Sequence, residues 1–254
     1  MSDILYVKEA RRITPNMIRV TLTGERLVDF PTGREGGNCK IFVPDEGETV
    51  DDFGRRLAEK QKVTKRTYTV RAFRKESLEL DIDFVAHGDD GPASRWANKA
   101  KPGSFCGFRG ASLPKVQSFY ADFYLLAADM SALPVASATL EAMPRDAKGF
   151  AVFEIHSEAD RQEIAAPSGV SIKWIVNPDT HQVSMRQLDE IRALDWPQGS
   201  VQTCIAGESN TIKAVRQYLY ENTDLNKKDA YISGYWKVGL IEDEHQIAKK
   251  KDAA

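Results

Sequence analysis

Residues 62–74, KVTKRTYTVRAFR, place Arg66, Tyr68, Thr69 and Arg71 in one extended segment. Arginine offers a planar, permanently charged fork for phosphate oxygens, tyrosine a flat ring with one hydroxyl, and threonine a short donor and acceptor. These chemistries match a flavin dinucleotide. Its pyrophosphate needs the guanidinium, its ring system needs an aromatic or apolar wall, and its N5 edge needs a hydrogen-bonding group. In a regular strand Arg66, Tyr68 and Val70 share one face, with Thr67, Thr69 and Arg71 on the other, so a ligand touching both sets must lie along the strand's edge. Two plainer readings remain open on these residues alone: a surface strand with solvated Lys and Arg, or the basic and aromatic strand of a nucleic-acid-binding barrel.

The elements around this segment change character half-way along the chain. Up to about residue 118, short alternating runs at 4–10, 17–23, 40–44, 65–73, 78–85 and 104–108 are separated by Gly-, Pro- and Asp-rich breaks. That spacing predicts a small antiparallel barrel with one helix, at 95–101. Residues 45–61 are polar and read as a loop with one helical turn. After residue 118, apolar runs at 123–128, 150–156, 172–176, 201–206 and 231–234 alternate with helical patterns at 132–143, 185–194 and 212–221. This succession predicts a parallel sheet covered on both sides by helices, with ligands beyond the carboxyl ends of its strands. A last charged helix is expected over 241–251.

A chain of 254 residues is long enough for two ordinary domains, and 42% hydrophobic with 28% charged residues is the composition of a folded globular protein. Lys and Arg total 35 against 37 Asp and Glu, so a net charge of −2 gives no bulk attraction to nucleic acid or to anionic membrane. No apolar run approaches the roughly 18 residues of a membrane helix, and the N-terminal residues have no signal-peptide pattern; a cytoplasmic location is expected. Cys39, Cys106 and Cys204 are odd in number and far apart, which argues against disulfides and against a zinc or iron–sulfur site.

Residues 66–71, Arg-Thr-Tyr-Thr-Val-Arg, resemble the Arg-x-Tyr-Thr/Ser-x-Arg flavin motif of siderophore-interacting proteins, a ferric-siderophore reductase branch of the ferredoxin–NADP reductase superfamily. His87-Gly88 and the run from Gly91 through Pro92, Ala93 and Ser94 to Ala97 resemble the family's second flavin-binding segment. A helix start after Gly88 and Gly91 would also gather backbone N–H groups for a pyrophosphate, although Asp89 and Asp90 are equally suited to cap it. Asp129-Met130-Ser131-Ala132-Leu133-Pro134 and Gly234-Tyr235-Trp236-Lys237-Val238-Gly239 resemble two further family segments, the latter with Lys237 where the family has arginine. Ala206-Gly207-Glu208-Ser209, at a strand end, is a candidate nucleotide or flavin contact.

The resemblance, spanning about residues 40–239, implies an FAD-binding barrel over 1–118, an NAD(P)H-binding-like α/β domain over 119–236 and a C-terminal helix and tail over 237–254. It implies FAD contacts from Arg66, Thr67, Tyr68, Thr69, Arg71, His87, Gly88, Gly91, Pro92, Ala93, Ser94, Asp129, Ser131, Ala132 and Trp236, where Trp236 either walls the flavin or is a core residue. Together with position it nominates Lys40, Arg109 and either Lys228 or Lys237 as cations for an anionic ferric siderophore. The expected reaction is single-electron transfer from FAD to chelated iron(III), releasing iron(II), with no catalytic acid, base or nucleophile and no metal ligand from the protein. The superfamily's glycine-rich nucleotide turn is absent, which leaves NADH, NADPH and reduced ferredoxin open as donors. A monomer is expected, with no nucleic-acid or membrane partner. The alternatives are an NAD(P)H-dependent flavin or ferredoxin reductase, and a non-catalytic siderophore- or nucleic-acid-binding protein.

Overall fold

A computed structural model describes residues 3–86 and 91–240, and the charged helix expected over 241–251 lies outside them. Two compact units meet in sequence between Pro114 and Lys115. The first is a closed antiparallel barrel of β1 (Asp3–Thr14), β2 (Met17–Thr23), β3 (Asn38–Val43), β4 (Thr64–Arg74), β5 (Glu79–Val85) and β6 (Phe105–Gly110), in the order β1-β2-β5-β4-β3-β6. Alternation sets its interior. Val20 and Leu22 on β2, Ile41 and Val43 on β3, Val70 on β4, Leu80, Ile82 and Phe84 on β5, and Cys106 and Phe108 on β6 fill one core. Each large side chain so buried stabilises the fold by about 1.5–3 kcal/mol.

Buried charge is paired across strands. Arg19 of β2 binds Asp83 of β5 with both ends of its fork, at 2.7 and 2.8 Å, and Arg74 of β4 grips Asp81 in the same way. Burial raises the Asp81 carboxyl, but Arg74 and Thr21 outweigh it and hold the group below its usual range.

Residues 45–61 depart from the loop expected of them, because they contain a nine-residue helix, α1 (Val50–Ala58). Thr49 caps it by accepting from the Asp52 N–H at 3.2 Å, and acidic Asp51 and Asp52 open the first turn while Arg55 and Arg56 close the last. Phe53, fully buried, anchors it against Phe105 with ring centroids 5.6 Å apart. The other helix of this unit, α2 (Pro92–Lys99), begins three residues before its expected start at 95 because Pro92 itself takes the first helical position.

The second unit is a five-stranded parallel sheet, β11-β10-β7-β8-β9, made of β7 (Phe123–Ala128), β8 (Lys148–Ile155), β9 (Gly169–Val176), β10 (Val201–Glu208) and β11 (Ala230–Trp236). β7 and β10 are almost entirely buried, as strands covered on both faces must be. Residues Leu125, Ala127, Val152 and Ile205 face a core shared with α4 (Arg186–Arg192) and α5 (Ser209–Asn222). On the opposite face, Thr139 of α3 (Leu133–Ala142) contacts Cys204 at 3.5 Å. Between the runs at 150–156 and 172–176, where no helical pattern was expected, β8 reaches β9 through a single 3-10 turn, Glu158–Asp160, and extended chain.

Candidate functional site

In the barrel the motif strand β4 is shared between two neighbours. Thr64 to Thr69 pair with β3, and the ladder to β5 joins at Val70 and runs to Arg74. The loop before β3 also docks here: the Gly36 N–H donates to the Val70 carbonyl at 2.8 Å, and the Val70 N–H donates to the Gly37 carbonyl at 2.9 Å. Arg66 and Tyr68 pair with Ile41 and Cys39, both buried, so they lie on the core-facing side of the sheet near its rim. The Tyr68 ring rests 4.3 Å from that of Phe84, which in turn sits 5.7 Å from Trp96. Arg71 lies on the other face with its Nε 3.9 Å from Asp83. The two arginines of the motif therefore occupy different environments, and Thr69 between them is buried.

That outer face carries the strongest juxtaposition in the unit. Lys40 stands opposite Thr67 on one side and opposite Arg109 on the other, forming a row across β4, β3 and β6. The half-buried ammonium of Lys40 donates to Thr67 Oγ1. Arg109 is exposed, with its guanidinium 5.4 Å over the Phe42 ring. Two cations nominated from segments some seventy residues apart are thus cross-strand neighbours.

At α2 the N-cap is Gly91, which supplies no side-chain acceptor for the first-turn N–H groups. Ala93 and Ser94, which the resemblance implies as flavin contacts, have buried side chains, as does Ala97, while Pro92 is half-buried and Arg95 is exposed. His87 and Gly88 lie outside the described residues.

The second unit gathers its motifs at the carboxyl edge of the sheet. Asp129, just beyond β7, accepts from the Ser131 N–H at 2.9 Å, the Ser131 hydroxyl at 2.5 Å and the Ala132 N–H at 3.3 Å. Its other oxygen accepts from Trp236 Nε1 at 2.7 Å, across 107 positions of sequence. Burial, aided by the charge of Glu154, raises this carboxyl above its ordinary range against the pull of Ser131 and Trp236. Trp236 is half-buried, so it is neither a fully enclosed core residue nor an open one. Gly207 completes the contact: a Cβ there would stand 2.7 Å from Asp129 Oδ2, and its φ is +151°.

Glu208 performs the same office for α5, accepting from the Asn210 N–H at 2.7 Å and the Thr211 N–H at 2.9 Å, with the Val238 N–H at 3.2 Å on its other oxygen. Sequence reasoning singled out residues 206–209 by their strand-end position; the capping role of Glu208 emerges only from the fold. Lys228 and Lys237 are not brought together. They flank β11 at its start and its end, seven strand residues or roughly 23 Å apart, so a single small site cannot use both.

Residues 6–114 match the Siderophore-interacting FAD-binding domain and residues 121–239 match the Siderophore-interacting protein family. A ferric vibriobactin reductase from Vibrio cholerae is 37% identical over 92% of this chain and 88% of its own. The chain belongs to the siderophore-interacting protein family. Within that family, the crystal structure of SipS from Aeromonas hydrophila superposes with a TM-score of 0.85 at 31% identity, covering 99% of this chain and 98% of that one. A ferredoxin–NADP+ reductase from Plasmodium falciparum, at 12% identity and a TM-score of 0.64 over 92% of this chain and 96% of that one, shares the fold alone. The barrel and the parallel sheet expected from sequence are thus the two halves of a ferredoxin-reductase-like fold, and the barrel of this siderophore-interacting protein is the family's FAD-binding domain.

Proposed function

We propose that this protein is a cytoplasmic ferric-siderophore reductase that holds FAD against β4 and α2 and passes single electrons to chelated iron(III). The observation that carries the reading is the Thr67–Lys40–Arg109 row, which sets two cations on the two strands that follow the flavin-motif strand across the sheet. A ferric siderophore presents hard oxygen donors and net negative charge, so the protein needs cations and hydrogen-bond donors to hold it and no iron ligands of its own.

The residues present fit FAD: Arg66 supplies a fork for phosphate, Tyr68 an aromatic wall already braced by Phe84, and the first turn of α2 backbone N–H groups that Gly91 leaves without a side-chain cap. Bound FAD supplies the conversion between a two-electron donor and a one-electron acceptor. The chain's part is to bind and orient. Lys40 and Arg109 steer and hold the anionic chelate, and Thr67 fixes the Lys40 ammonium. Iron(II) is held less well by the hard oxygen chelate and leaves. Three free, buried cysteines suit a reducing compartment.

The test is spectroscopic. Purified protein should be yellow and release FAD on heating. Anaerobic addition of a ferric siderophore to the dithionite-reduced protein, with excess dithionite removed, should yield two iron(II) per FAD, read with a ferrous-specific chelator. Flavin without iron(II) formation would defeat the reductase assignment.

A further inference from the structure

The second unit, numbered within itself, has the strand order 3-2-1-4-5: β9, β8, β7, β10, β11. The order reverses between β7 and β10, and in doubly wound sheets a nucleotide lies beyond the carboxyl ends at that point. Both helix starts flanking the crevice are already occupied. In the turn before α3 the Asp129 carboxylate holds the Ser131 and Ala132 N–H groups and its carbonyl takes the Leu133 N–H, while Pro134 has none to offer; Glu208 holds the first N–H groups of α5. A dinucleotide's pyrophosphate therefore gains little from either helix, and recognition of an electron donor at this edge falls on polar contacts to its sugars.

One side chain is placed for such a contact. Glu154 is the penultimate residue of β8, the strand next to β7, and follows Ala132, the end of the first turn, by 22 positions. In doubly wound folds an acid at this place, about 20 residues after the first turn, hydrogen-bonds the ribose 2′-hydroxyl of NAD, while an arginine nearby accommodates the 2′-phosphate of NADP. The Glu154 carboxylate is half-buried and fixed, accepting from Asn177 Nδ2 at 2.9 Å on one oxygen and from Ser184 Oγ at 2.7 Å on the other. Each oxygen keeps a further acceptor site. Among the described residues no ion pair joins Glu154 to a cation. Arg186, two residues beyond Ser184, spends Nη1 on the Val176 carbonyl at 2.5 Å.

We infer that Glu154 sets the donor preference of this reductase, accepting a hydrogen bond from the adenosine ribose 2′-hydroxyl of NADH and repelling the 2′-phosphate of NADPH. The inference rests on the reductase reading. The balance is one NADH and two chelated iron(III) giving NAD+, one proton and two iron(II), the hydride carrying both electrons. Ser184 and Asn177 are positioning residues that aim the carboxylate. With the helix starts occupied, binding is weak and the discrimination lies in KM.

Anaerobic steady-state oxidation of NADH and of NADPH by the FAD-loaded protein, with a quinone as artificial electron acceptor, tests this without any iron substrate. Wild type should show kcat/KM for NADH at least about tenfold above NADPH, because a lost charge-assisted hydrogen bond weakens binding by about tenfold or more. Glu154→Gln should bring the two within about threefold, mostly through KM. Ser184→Ala should narrow the gap by a smaller factor. Competition between NAD+ and NADP+, followed by ligand-observed NMR on the resting protein, should show the same order and the same loss in Glu154→Gln. Equal use of the two nucleotides by wild type, a preference for NADPH, or an unchanged ratio in a folded Glu154→Gln would overturn the inference. So would reduction by neither nucleotide in protein that still delivers electrons from dithionite to the ferric chelate; there the reductase reading survives. NADH preference without iron(II) production has the opposite meaning: Glu154 selects the donor and the substrate assignment is wrong.

Discussion

Lys40 is the side chain whose removal should weaken ferric-siderophore binding most. Its ammonium is half-buried, held by Thr67, and adjacent to Arg109 across the β3–β6 pairing. A hydrogen bond from such a charged group is worth about 1.5–3 kcal/mol, and every 1.4 kcal/mol is about tenfold in binding, so Lys40→Met should raise the KM for ferric chelate by about 10- to 100-fold. Methionine keeps the stem's packing while removing the charge. Arg109 is exposed, where single charge pairs are worth about 0.2–1 kcal/mol, so Arg109→Met should raise KM only about 1.5- to 5-fold and lose that effect in high salt. Because the two cations would grip one anion, the double variant should deviate from the sum of the singles. Steady-state formation of iron(II), at two ionic strengths and with flavin absorbance checked for each variant, measures all three. An unchanged KM in Lys40→Met, or a larger effect from Arg109→Met than from Lys40→Met, would refute the placement of the substrate on this row.

Other expected outcomes follow from the same geometry. Arg66→Ala should lower FAD affinity by about 1.5–3 kcal/mol, seen as flavin fluorescence released on dilution; full stoichiometric retention would count against a phosphate contact. Gly207→Ala forces a Cβ to within 2.7 Å of Asp129 Oδ2 at φ +151°, so thermal unfolding should show a loss of about 1–3 kcal/mol, relieved only in part by Asp129→Ala because the backbone strain remains. Asp81 has its folded pKa held down, so its contribution to stability is present above the unfolded value near about 3.9 and is lost as pH falls through the folded one. Denaturant midpoints should drop between pH 5 and pH 3, and Arg74→Met should be less stable at pH 7 with a shallower acid loss. Burial pushes the Cys39 thiol to about 12 and Cys204 to about 11, and raises Cys106 as well, so a disulfide thiol reagent should find no reactive group in the native protein and three after unfolding.

The parts of this molecule that could be read from sequence are those whose physics is local. Alternation of two and apolar runs of six located β2 and β7 to the residue, because a buried strand imposes its pattern on consecutive positions. Residues 45–61 misled because their charge dominates; the helix was nonetheless signalled by Thr49 three before Asp52 and by Val50, Phe53 and Leu57 at helical spacing. The β8–β9 crossing carries no helical period in sequence and has no helix in the fold, only a 3-10 turn and extended chain. Within the site the limit is sharper. That Lys40 faces Arg109 is a consequence of strand register, and that Trp236 reaches Asp129 depends on β11 and β7 both ending at the same edge with β10 between them. No window of sequence contains those facts.

Gly207 shows how the two kinds of information combine. Taken as a lone glycine at a strand end it carries almost no signal, whereas the fold assigns it a single reason: a carboxylate fills the space where its side chain would be. The carboxylate is there because Asp129 caps its own turn, and it is fixed from the far side by Trp236. Two segments that each resembled the family independently are therefore one structure, and the substitution of a self-supplied acid for the superfamily's glycines has a physical result. The protein's own carboxylates fill the N–H groups of the turn before α3 and of the start of α5, and on the inference above recognition of an electron donor falls to the residues at the ends of β7, β8 and β10.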